Sequence, residues 1–556
     1  MILSGETLNP SDLPVYDICI VGAGAAGFAM IDCLADWALK NQKKIVMLDS
    51  GTENIVNPEH PHPTWGDNPR YMDKDKDIRD LDAGAIEKNS FLAKLKEAFP
   101  SERDFLTRSR TRCYGGSTNC WGGFIRPLDP FDFREWPIDR TTLEPFYKEA
   151  LKLVDLGNFD IFDDPLSWRK LVDKSIAIDV PDKDKLAKAG LRTVVIQQQR
   201  DVSIIDFQQR FGHYFTDNPT DKYYKTLTLI KNATAVMVNS TIQSNNKWTT
   251  SNLECRAVGI NNNPRHIFKV SALQIVLAMG GLEIPRFLLN CREKIGAPFP
   301  WQDLGKFYMN HPKYENLAKG TVTFADDVFS DATNTFFAGV PLKDQNSVVI
   351  QAFIVPTADG ITRHQTSNYR IALHSEKLEK GKFLVQLENN FEQIANPASQ
   401  ITLAKDKDVF DQRRLNLDWK FSDKDRDTVN GSIGDLTIIW MQEVLGGKLE
   451  SDWNKDSVIW KLGEPDPPVK DYAGRPIYTG DHHMGTCRMK PSFGGDNEGV
   501  VDGDCKVLYY NNLWICSTGV YPRGGWANAT LTLLALSLRL AGTLKKVASA
   551  VEVETS

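Results

Sequence analysis

The 556-residue sequence lacks the features of a membrane protein, a secreted protein or a nucleic-acid-binding protein. No apolar run reaches the roughly 18 residues that a membrane-spanning helix needs. The start, MILSGETLNPSDLPVYD, has neither the basic stretch nor the apolar stretch of a secretory signal peptide. No cluster of Lys and Arg stands out and the net charge is −6, so neither a membrane span nor a nucleic-acid partner is expected.

Cysteine and histidine are scarce. The nine cysteines are odd in number and form no C-x-x-C pair, which favours reduced thiols in a cytoplasmic protein over a disulfide framework. Two of the nine histidines are adjacent in TGDHHMGTCRM (479–489). Adjacent residues of a strand point to opposite faces, and Cys487 has no second thiol at ligand spacing, so no metal site is expected there.

The first chemical signal is the stretch YDICIVGAGAAGFAMIDCLADWALK (16–40), which reads as a buried strand followed by a helix. Between the two, Gly22, Gly24 and Gly27 form a G-x-G-x-x-G motif. These glycines allow a tight turn, close approach of a diphosphate and close helix–strand packing. A second strand ends in Asp49, at the spacing of an acid that holds ribose hydroxyls. The stretch predicts dinucleotide binding, FAD or NAD, with a Rossmann-like unit without ligand as the alternative.

A second glycine-dense stretch is RTRCYGGSTNCWGGFIRPLDPFDF (110–133). Its glycines let backbone amides lie along a diphosphate or a flat ring. A flexible surface turn is the alternative, but the Cys, Tyr and Trp residues among the glycines favour a buried loop.

Several segments, in the same order along the chain, resemble the glucose–methanol–choline (GMC) family of FAD-dependent oxidoreductases. Arg112 with GGST resembles the second flavin loop of the family, and 271–289 resembles its strand–glycine–helix segment. FEQIANPASQITL (391–403) resembles a family strand in which Ala395 replaces a proline. HHMGTCRM (482–489) resembles the H-x-x-G-T segment, and 513–532 resembles the closing flavin segment, with its N-P-x-x-T proline lost.

The resemblance implies the catalytic residues. The H-x-x-G-T motif aligns His482 with the family's catalytic histidine and leaves His483 at a variable position, where it either shapes the substrate pocket or is structural. Asn528 aligns with the partner residue, so the pair is of the His/Asn type found in the pyranose 2-oxidase-like subtype. A neutral imidazole at His482 would take the hydroxyl proton of an alcohol while a hydride passes to flavin N5.

The resemblance also implies the cofactor contacts. Gly519 and Val520 correspond to amides at the FAD diphosphate and Thr530 to the flavin pyrimidine edge, while Val236 is a weaker candidate for adenine. The predicted FAD-binding residues are Gly22, Gly24, Ala25, Ala26, Gly27, Asp49, Ser50, Arg112, Gly115, Gly116, Ser117, Asn119, Cys120, Trp121, Gly122, Val236, Gly519, Val520, Asn528 and Thr530.

Two predictions concern the surroundings of the flavin. Cys120 stands where pyranose oxidases have a histidine bonded to the flavin, yet a cysteine there is more typical of a small buried filler, so FAD is predicted to be non-covalent. Trp526, Tyr521 and Arg523 are predicted substrate-pocket residues together with His483. The alternative is a core position for each, or a surface position for Arg523.

The fold class implied is α/β, with a Rossmann-like FAD-binding domain interleaved with a substrate domain built on a large, mostly antiparallel sheet with helices. The FAD-binding domain would use 12–60, 105–160, 230–315 and 470–556. The substrate domain would use 161–229 and 316–469, and 61–104 would form a lid or arm.

The implied function is FAD-dependent oxidation of the CH–OH group of a sugar, glycoside or polyol-like alcohol, by an oxidase or a dehydrogenase. A non-redox, hydroxynitrile lyase-like flavoprotein of the same family is the alternative. The sequence does not choose among oxygen, a quinone and a protein as the electron acceptor.

Overall fold

The computed structural model describes most of the chain. The described residues are 1–51, 85–87, 90–100, 105–164, 167, 171–172, 183–257, 266–295, 302–329, 339–342, 345–454, 458–471, 473–491 and 498–555. The strands in these residues are β1 (Ile2–Ser4), β2 (Tyr16–Val21), β3 (Ile45–Leu48), β4 (Ala85–Ile86), β5 (Phe124–Ile125), β6 (Leu191–Gln199), β7 (Leu227–Lys231), β8 (Thr234–Ile242), β9 (Trp248–Ala257), β10 (His266–Leu277), β11 (Pro312–Thr323), β12 (Val340–Leu342), β13 (Gln345–Pro356), β14 (Tyr369–Glu379), β15 (Lys382–Phe391), β16 (Gln400–Lys407), β17 (Arg413–Asp418), β18 (Lys448–Leu449), β19 (Tyr478–Thr479) and β20 (Leu513–Ile515).

The helices connect and cover these strands. They are Ala25–Lys40, Phe91–Ala98, Phe105–Arg108, Arg140–Lys152, Lys183–Lys188, Val202–Ile205, Phe207–Phe211, Gly280–Ile295, Ala358–His364, Asp423–Gly434 with its π-helical continuation Asp435–Val444, and Thr530–Thr555. Short 3-10 turns include Gly116–Asn119 and Thr518–Val520.

The first sheet orders its strands β1-β7-β3-β2-β10-β9-β8, with β20 also on β10. The pairs from β1 to β10, and the pair β10–β20, are parallel, whereas β9 and β8 continue the sheet antiparallel. β2 is buried along almost its whole length, as expected for a strand covered on both faces. The helices Ala25–Lys40 and Thr530–Thr555 pack together beside this sheet. Since the strands are parallel, the loops after β2, β3, β10 and β20 meet at one edge, where ligands of such sheets bind.

The second sheet has nine strands in the order β18-β11-β15-β14-β13-β6-β5, with β12 on β13 and β19 on β11. All its pairs are antiparallel. Along β15, buried and half-buried residues alternate, so one face of the strand turns to the core. The predicted fold class, a Rossmann-like parallel sheet with a large antiparallel sheet, is confirmed.

Two short strands and the segment 61–104 concern the predicted domain organisation. β5 and β19 fall in the predicted FAD-binding segments but pair in the antiparallel sheet, and the domain boundaries stay a prediction. Of the predicted lid or arm, 61–84, 88–89 and 101–104 lie outside the described residues. The described part packs inward: β4 pairs with β17, and Phe91 meets Trp419 edge-on at 5.2 Å between ring centroids.

Two further properties concern the chain as a whole. None of its nine cysteines, all of which lie in described residues, forms a disulfide. Within the part of the chain that the structure describes, no helix is both long and apolar enough to cross a bilayer.

Candidate active site

The first glycine motif has the geometry that its spacing predicts. Gly22 has a φ of +112°, and a Cβ added there would lie 2.6 Å from the carbonyl oxygen of Ala278. A Cβ on Gly27 would approach the carbonyl oxygen of Gly22 to well inside 3.0 Å, the limit that real Cβ atoms keep. Gly24 is different, because the nearest atom to its added Cβ is 4.0 Å away. The first and third glycines are thus required by packing, and the second leaves its backbone open.

Two further loops close around that opening. The amide of Gly115 donates to the carbonyl of Ala23 at 2.9 Å, and a Cβ on Gly116 would be 3.0 Å from the Cα of Gly24. A Cβ on Gly51 would be 2.8 Å from the Cα of Cys113. We call residues 22–27, 49–51 and 113–116 the glycine cradle. Backbone atoms line this cradle, and side chains at its glycines would fill it. These residues therefore fit a dinucleotide diphosphate such as that of FAD.

Asp49 ties two of these loops together. Its Oδ2 accepts from the amide of Ala23 at 3.2 Å, and its Oδ1 accepts from the amide of Gly51 at 2.8 Å. Burial raises the pKa of the Asp49 carboxyl, and these amides act in the opposite direction. Arg112 donates to the hydroxyl of the neighbouring Ser50 at 3.3 Å. The predicted contact of Asp49 with ribose stays a prediction.

The second glycine loop is held by its own side chains. Asn119 is buried and donates to the carbonyl of Tyr114 at 2.8 Å, and the Trp121 indole donates to the carbonyl of Ile205 at 2.9 Å. Ser117 is exposed, and the Cys120 sulfur lies 3.4 Å from the Thr111 hydroxyl. Gly122 offers its carbonyl to Gln198. Asn119 and Trp121 therefore shape the loop, and any cofactor contact by them stays a prediction.

The predicted cofactor residues Ala25 and Ala26 lie at the start of a helix, and Val236 lies at a β-bulge. Ala25 and Ala26 are the first residues of the helix Ala25–Lys40, whose amino end faces the cradle. Val236 is fully buried against Phe410, and the register between β8 and β9 skips it. Such a bulge re-aims the backbone of its residue, which is compatible with the predicted adenine contact.

The loop 480–489 carries the adjacent histidines and pairs with the segment 309–311. Met309 and Met484 exchange two backbone hydrogen bonds of 3.0 Å, and the amide of Gly480 donates to the carbonyl of His311 at 2.9 Å. The Asn310 Oδ1 accepts from the amides of His311, at 2.7 Å, and His482, at 3.1 Å. These bonds fix the backbone on both sides of His482.

The two adjacent histidines point in different directions. The Nδ1 of His482 lies 2.8 Å from the Nδ1 of His311, and the ring of His482 is half-buried. His483 is buried instead, with its Nδ1 3.0 Å from the Tyr308 hydroxyl and its Nε2 3.0 Å from the carbonyl oxygen of Ser109. His483 is thus a core residue with both ring nitrogens engaged.

Both rings of the His311–His482 pair are neutral near pH 7. Burial lowers the pKa of His482 well below 6.5, and the adjacent His311 lowers it further. Burial likewise lowers the pKa of His311 to about 4. A neutral imidazole is the form that can accept a proton.

The loop 480–489 sits on the edge of the parallel sheet that carries the glycine cradle. The Thr486 hydroxyl donates to the carbonyl of Gly281 at 2.5 Å, directly after β10. A Cβ on Gly519 would be 3.0 Å from that hydroxyl. The carbonyls of Gly519 and Val520 accept from the amides of Cys487 and Met489, each at 2.8 Å. The loop that bears His482 and the loops after β2 and β10 therefore share one edge.

Asn528 and Thr530 lie at the start of the helix Thr530–Thr555, and both are half-buried. The same loop brings Gly524 against His311, since a Cβ added to Gly524 would be 3.4 Å from the Nε2 of His311. His311 thus lies between the loop of His482 and the loop that leads to Asn528.

The predicted substrate residues of the closing segment are core side chains. Arg523 is 6% exposed and forms a buried ion pair with Glu392, with 2.9 Å from Nε to Oε1, so the surface alternative for Arg523 is wrong. The Trp526 indole donates to Asp129 at 3.3 Å, and the Tyr521 hydroxyl donates to the carbonyl of Ala529 at 2.8 Å. A substrate contact by these residues stays a prediction.

Asn310 and His311 are the residues that sequence reasoning missed. They stand in FYMNHP (307–312), where a polar pair containing one of only nine histidines follows an apolar stretch. That scarcity is a signal that could have singled out His311. Among the described residues, no group of three His, Cys, Asp or Glu side chains is arranged to hold a metal ion.

Comparison with known proteins concerns the fold and the carboxyl-terminal part of the chain. Residues 395–537 match the family model described as GMC oxidoreductase. Over these residues the chain is similar to a GMC oxidoreductase domain. The predicted enzyme class, an FAD-dependent oxidoreductase that acts on CH–OH groups, is confirmed at the level of that domain.

A solved structure shows the same fold over nearly the whole chain. The crystal structure of pyridoxine 4-oxidase from Mesorbium loti is similar over 95% of this chain and 99% of that chain, with a TM-score of 0.56 and 15% identity. At that identity the likeness concerns the fold. Among curated proteins, no sequence matches the chain.

Proposed function

We propose that the protein binds FAD and oxidises the CH–OH group of a sugar, glycoside or polyol-like alcohol, with His482 as the base. The observation that carries this proposal is the junction at Gly281. It brings the loop of His482 to the edge of the parallel sheet where the glycine cradle lies. A neutral imidazole at the same edge as a candidate dinucleotide site suits alcohol oxidation, in which a base takes the hydroxyl proton.

The residues that would hold FAD are those of the glycine cradle together with Gly519, Val520 and Thr530. Bound FAD supplies the acceptor for the two electrons of the C–H bond. Non-covalent binding is supported by the Cys120 thiol, which lies 3.4 Å from the Thr111 hydroxyl and 3.5 Å from the carbonyl oxygen of Ser117. The thiol is thus engaged within its own loop.

His482 would remove the hydroxyl proton through its Nε2. Its Nδ1 is engaged by His311, and among the described residues the Nε2 has no hydrogen-bond partner. General-base assistance is worth about 10²–10⁴ in rate. The amide of Asn528 would hydrogen-bond the alcohol oxygen and orient its C–H bond, so that position contributes as well as basicity.

The substrate class and the acceptor rest on resemblance. The His/Asn pair resembles the pyranose 2-oxidase-like subtype, which favours a sugar or polyol. The similar structure is by name an oxidase of pyridoxine, so pyridoxine belongs among the compounds to be tested and oxygen is the first acceptor to try. The absence of disulfides among the nine cysteines supports a reducing, cytoplasmic compartment.

Anaerobic mixing with candidate substrates tests the proposal. The purified protein is mixed with sugars, glycosides, polyols and pyridoxine, and the flavin absorbance is followed by stopped flow. We expect one class to bleach the flavin, and His482→Ala to slow bleaching about 10²–10⁴-fold while the spectrum of bound flavin stays unchanged. His374→Ala, at an exposed position on β14, is the matched control.

Other outcomes contradict the proposal. A flavin that stays oxidised while the protein cleaves a cyanohydrin would establish the non-redox lyase instead. A purified protein that carries NAD without flavin, or a His482→Ala variant that reacts at the wild-type rate, would refute the oxidation mechanism.

A further inference from the structure

We propose that His311 is a positioning residue for alcohol oxidation: it accepts the Nδ1–H of His482, so that His482 presents an unprotonated Nε2 to the substrate. This inference rests on the proposed function of His482. It adds a residue 171 positions away in sequence to the reaction.

The contact between the two rings admits only two proton arrangements. The two Nδ1 atoms are 2.8 Å apart, and the ring planes stand at 77° with centroids 4.8 Å apart. A neutral imidazole has one N–H and one lone pair, so a bond between two ring nitrogens contains a single proton. Either His482 donates to His311, or His311 donates to His482.

The proposed function of His482 selects between these arrangements. Only when the Nδ1 of His482 donates does its lone pair lie on Nε2, the nitrogen that a base needs. In that arrangement the Nδ1 of His311 is the acceptor, and the proton of neutral His311 is on Nε2. That Nε2 is buried beside Gly524, since a Cβ added there would be 3.4 Å away.

The tautomers of the two rings are linked by this single proton. With the Nδ1 of His311 as the acceptor, the Nδ1 of His482 carries the proton and the lone pair of His482 is on Nε2. The nitrogen with the lone pair is the one that has no protein partner among the described residues. This is the tautomer that a general base needs.

The backbone prevents the two rings from drifting apart. His311 is fully buried, and its carbonyl accepts from Gly480 in the loop of His482. Asn310 bridges the two directly, because its Oδ1 accepts from the amides of both histidines. The partner of His482 is thus held in place before any substrate arrives.

The bond gains strength during the reaction. When Nε2 of His482 takes the hydroxyl proton, the ring becomes cationic, and its Nδ1–H then donates a charge-assisted hydrogen bond that is about twice as strong as a neutral one. His311 remains neutral as the acceptor. An interaction that is stronger in the transition state than in the ground state raises kcat more than it changes KM.

A pair of substitutions separates this role from simple packing. His311→Asn keeps an acceptor oxygen close to the position of Nδ1, whereas His311→Leu removes the acceptor. We expect the Leu variant to lower kcat by about 10–100-fold, with KM little changed, and the Asn variant to recover most of that loss. His266→Leu, which replaces a half-buried imidazole on β10, is the matched control.

A second measurement does not depend on turnover. Diethyl pyrocarbonate acylates an imidazole nitrogen that carries a lone pair, and peptide mass spectrometry quantifies the product at His482. We expect acylation of His482 to slow in the Leu variant, because its tautomers then mix, and to stay fast in the Asn variant. If the Leu variant does not fold, His311→Gln replaces it, since Gln carries its carboxamide beyond the Nδ1 position.

The outcomes distinguish this inference from the proposed function. Equal rates for the Asn and Leu variants, or a Leu variant as active as the wild type, overturn the positioning role of His311. If the role of His311 is overturned but His482→Ala is inactive in the same assay, the proposed function of His482 still stands. If His482→Ala is fully active, the proposed function itself fails.

Discussion

The carbonyl group of His483 lies directly against Gly281, so that a Cβ added to Gly281 would be far inside the 3.0 Å that real Cβ atoms keep from their neighbours. The nearest atoms are backbone, which cannot swing aside as a flexible side chain does. Any side chain at Gly281 must therefore shift the loop 480–489, and with it His482. The first residues after β10 thus control where the proposed base is placed.

Gly281→Ala should displace the proposed base without altering any catalytic side chain. A misplacement of about 1 Å costs about 10²-fold in rate, so we expect kcat to fall by about that factor. Gly542→Ala is the matched control, because nothing lies within 4 Å of its added Cβ in the helix Thr530–Thr555. That control should keep full activity and gain about 0.5–1 kcal/mol in the free energy of unfolding. Full activity in Gly281→Ala would contradict the prediction.

The pH dependence should report the lowered pKa of His482. A base is active when unprotonated, and burial lowers the pKa of His482 well below 6.5. A lowered pKa means that the proton binds only in more acidic solution. We therefore expect kcat/KM for flavin reduction to stay level from pH 8 down through 6.5 and to fall only below that. An acidic limb centred at or above pH 6.5 would show that His482 is not the titrating base.

The buried ion pair of Arg523 and Glu392 should be a large contributor to stability. Glu392→Gln removes the nearest counter-charge of the Arg523 guanidinium, since Glu135 is 4.0 Å away, and we expect the free energy of unfolding to fall by about 3–5 kcal/mol in urea denaturation. The control is Glu144→Gln, which breaks an exposed pair with Lys148 on the helix Arg140–Lys152 and should change stability little. The double variant Glu392→Leu with Arg523→Met should be more stable than Glu392→Gln alone. A double variant that is less stable would argue against this account.

Flavin release should show whether Cys120 is bonded to the cofactor. We expect acid precipitation of the wild type to leave all the flavin in the supernatant, and Cys120→Ala to retain the wild-type flavin content before precipitation. The half-buried Cys33→Ala is the matched control. Flavin that stays with the wild-type pellet and is released from Cys120→Ala would establish a covalent bond instead.

The sequence predicts best those features that are local. Gly22 needs its positive φ for the turn and Gly27 is required by a contact with Gly22, so their spacing alone indicates these tasks. The opposite orientations of His482 and His483 are local in the same sense, because neighbours in an extended segment point apart. The order of the family-like segments then indicates the fold class, since it reflects the course of the whole chain.

Features made by distant segments could not be predicted. His311 meets His482 across 171 positions, and no spacing rule connects them. Arg523 is buried beside Glu392, 131 positions earlier, which supplies a counter-charge. In the sequence, Trp526 is an aromatic residue in a glycine-rich stretch, which fits a substrate pocket and a core equally well. Its place in the core follows from its packing around Asp129.

β10 pairs with two strands that lie far apart in the sequence, and this affects how the protein folds during synthesis. Its second half lies between β2, which begins at Tyr16, and β20, which begins at Leu513. Ribosomes add about 5–20 residues per second, so one side of β10 stays open as a strand edge for many seconds after the strand has been synthesised. Such late, long-range closure makes folding slow and leaves that edge exposed to pairing with other nascent chains. Co-expression with a chaperone should therefore raise the yield of folded protein more than any single stabilising substitution.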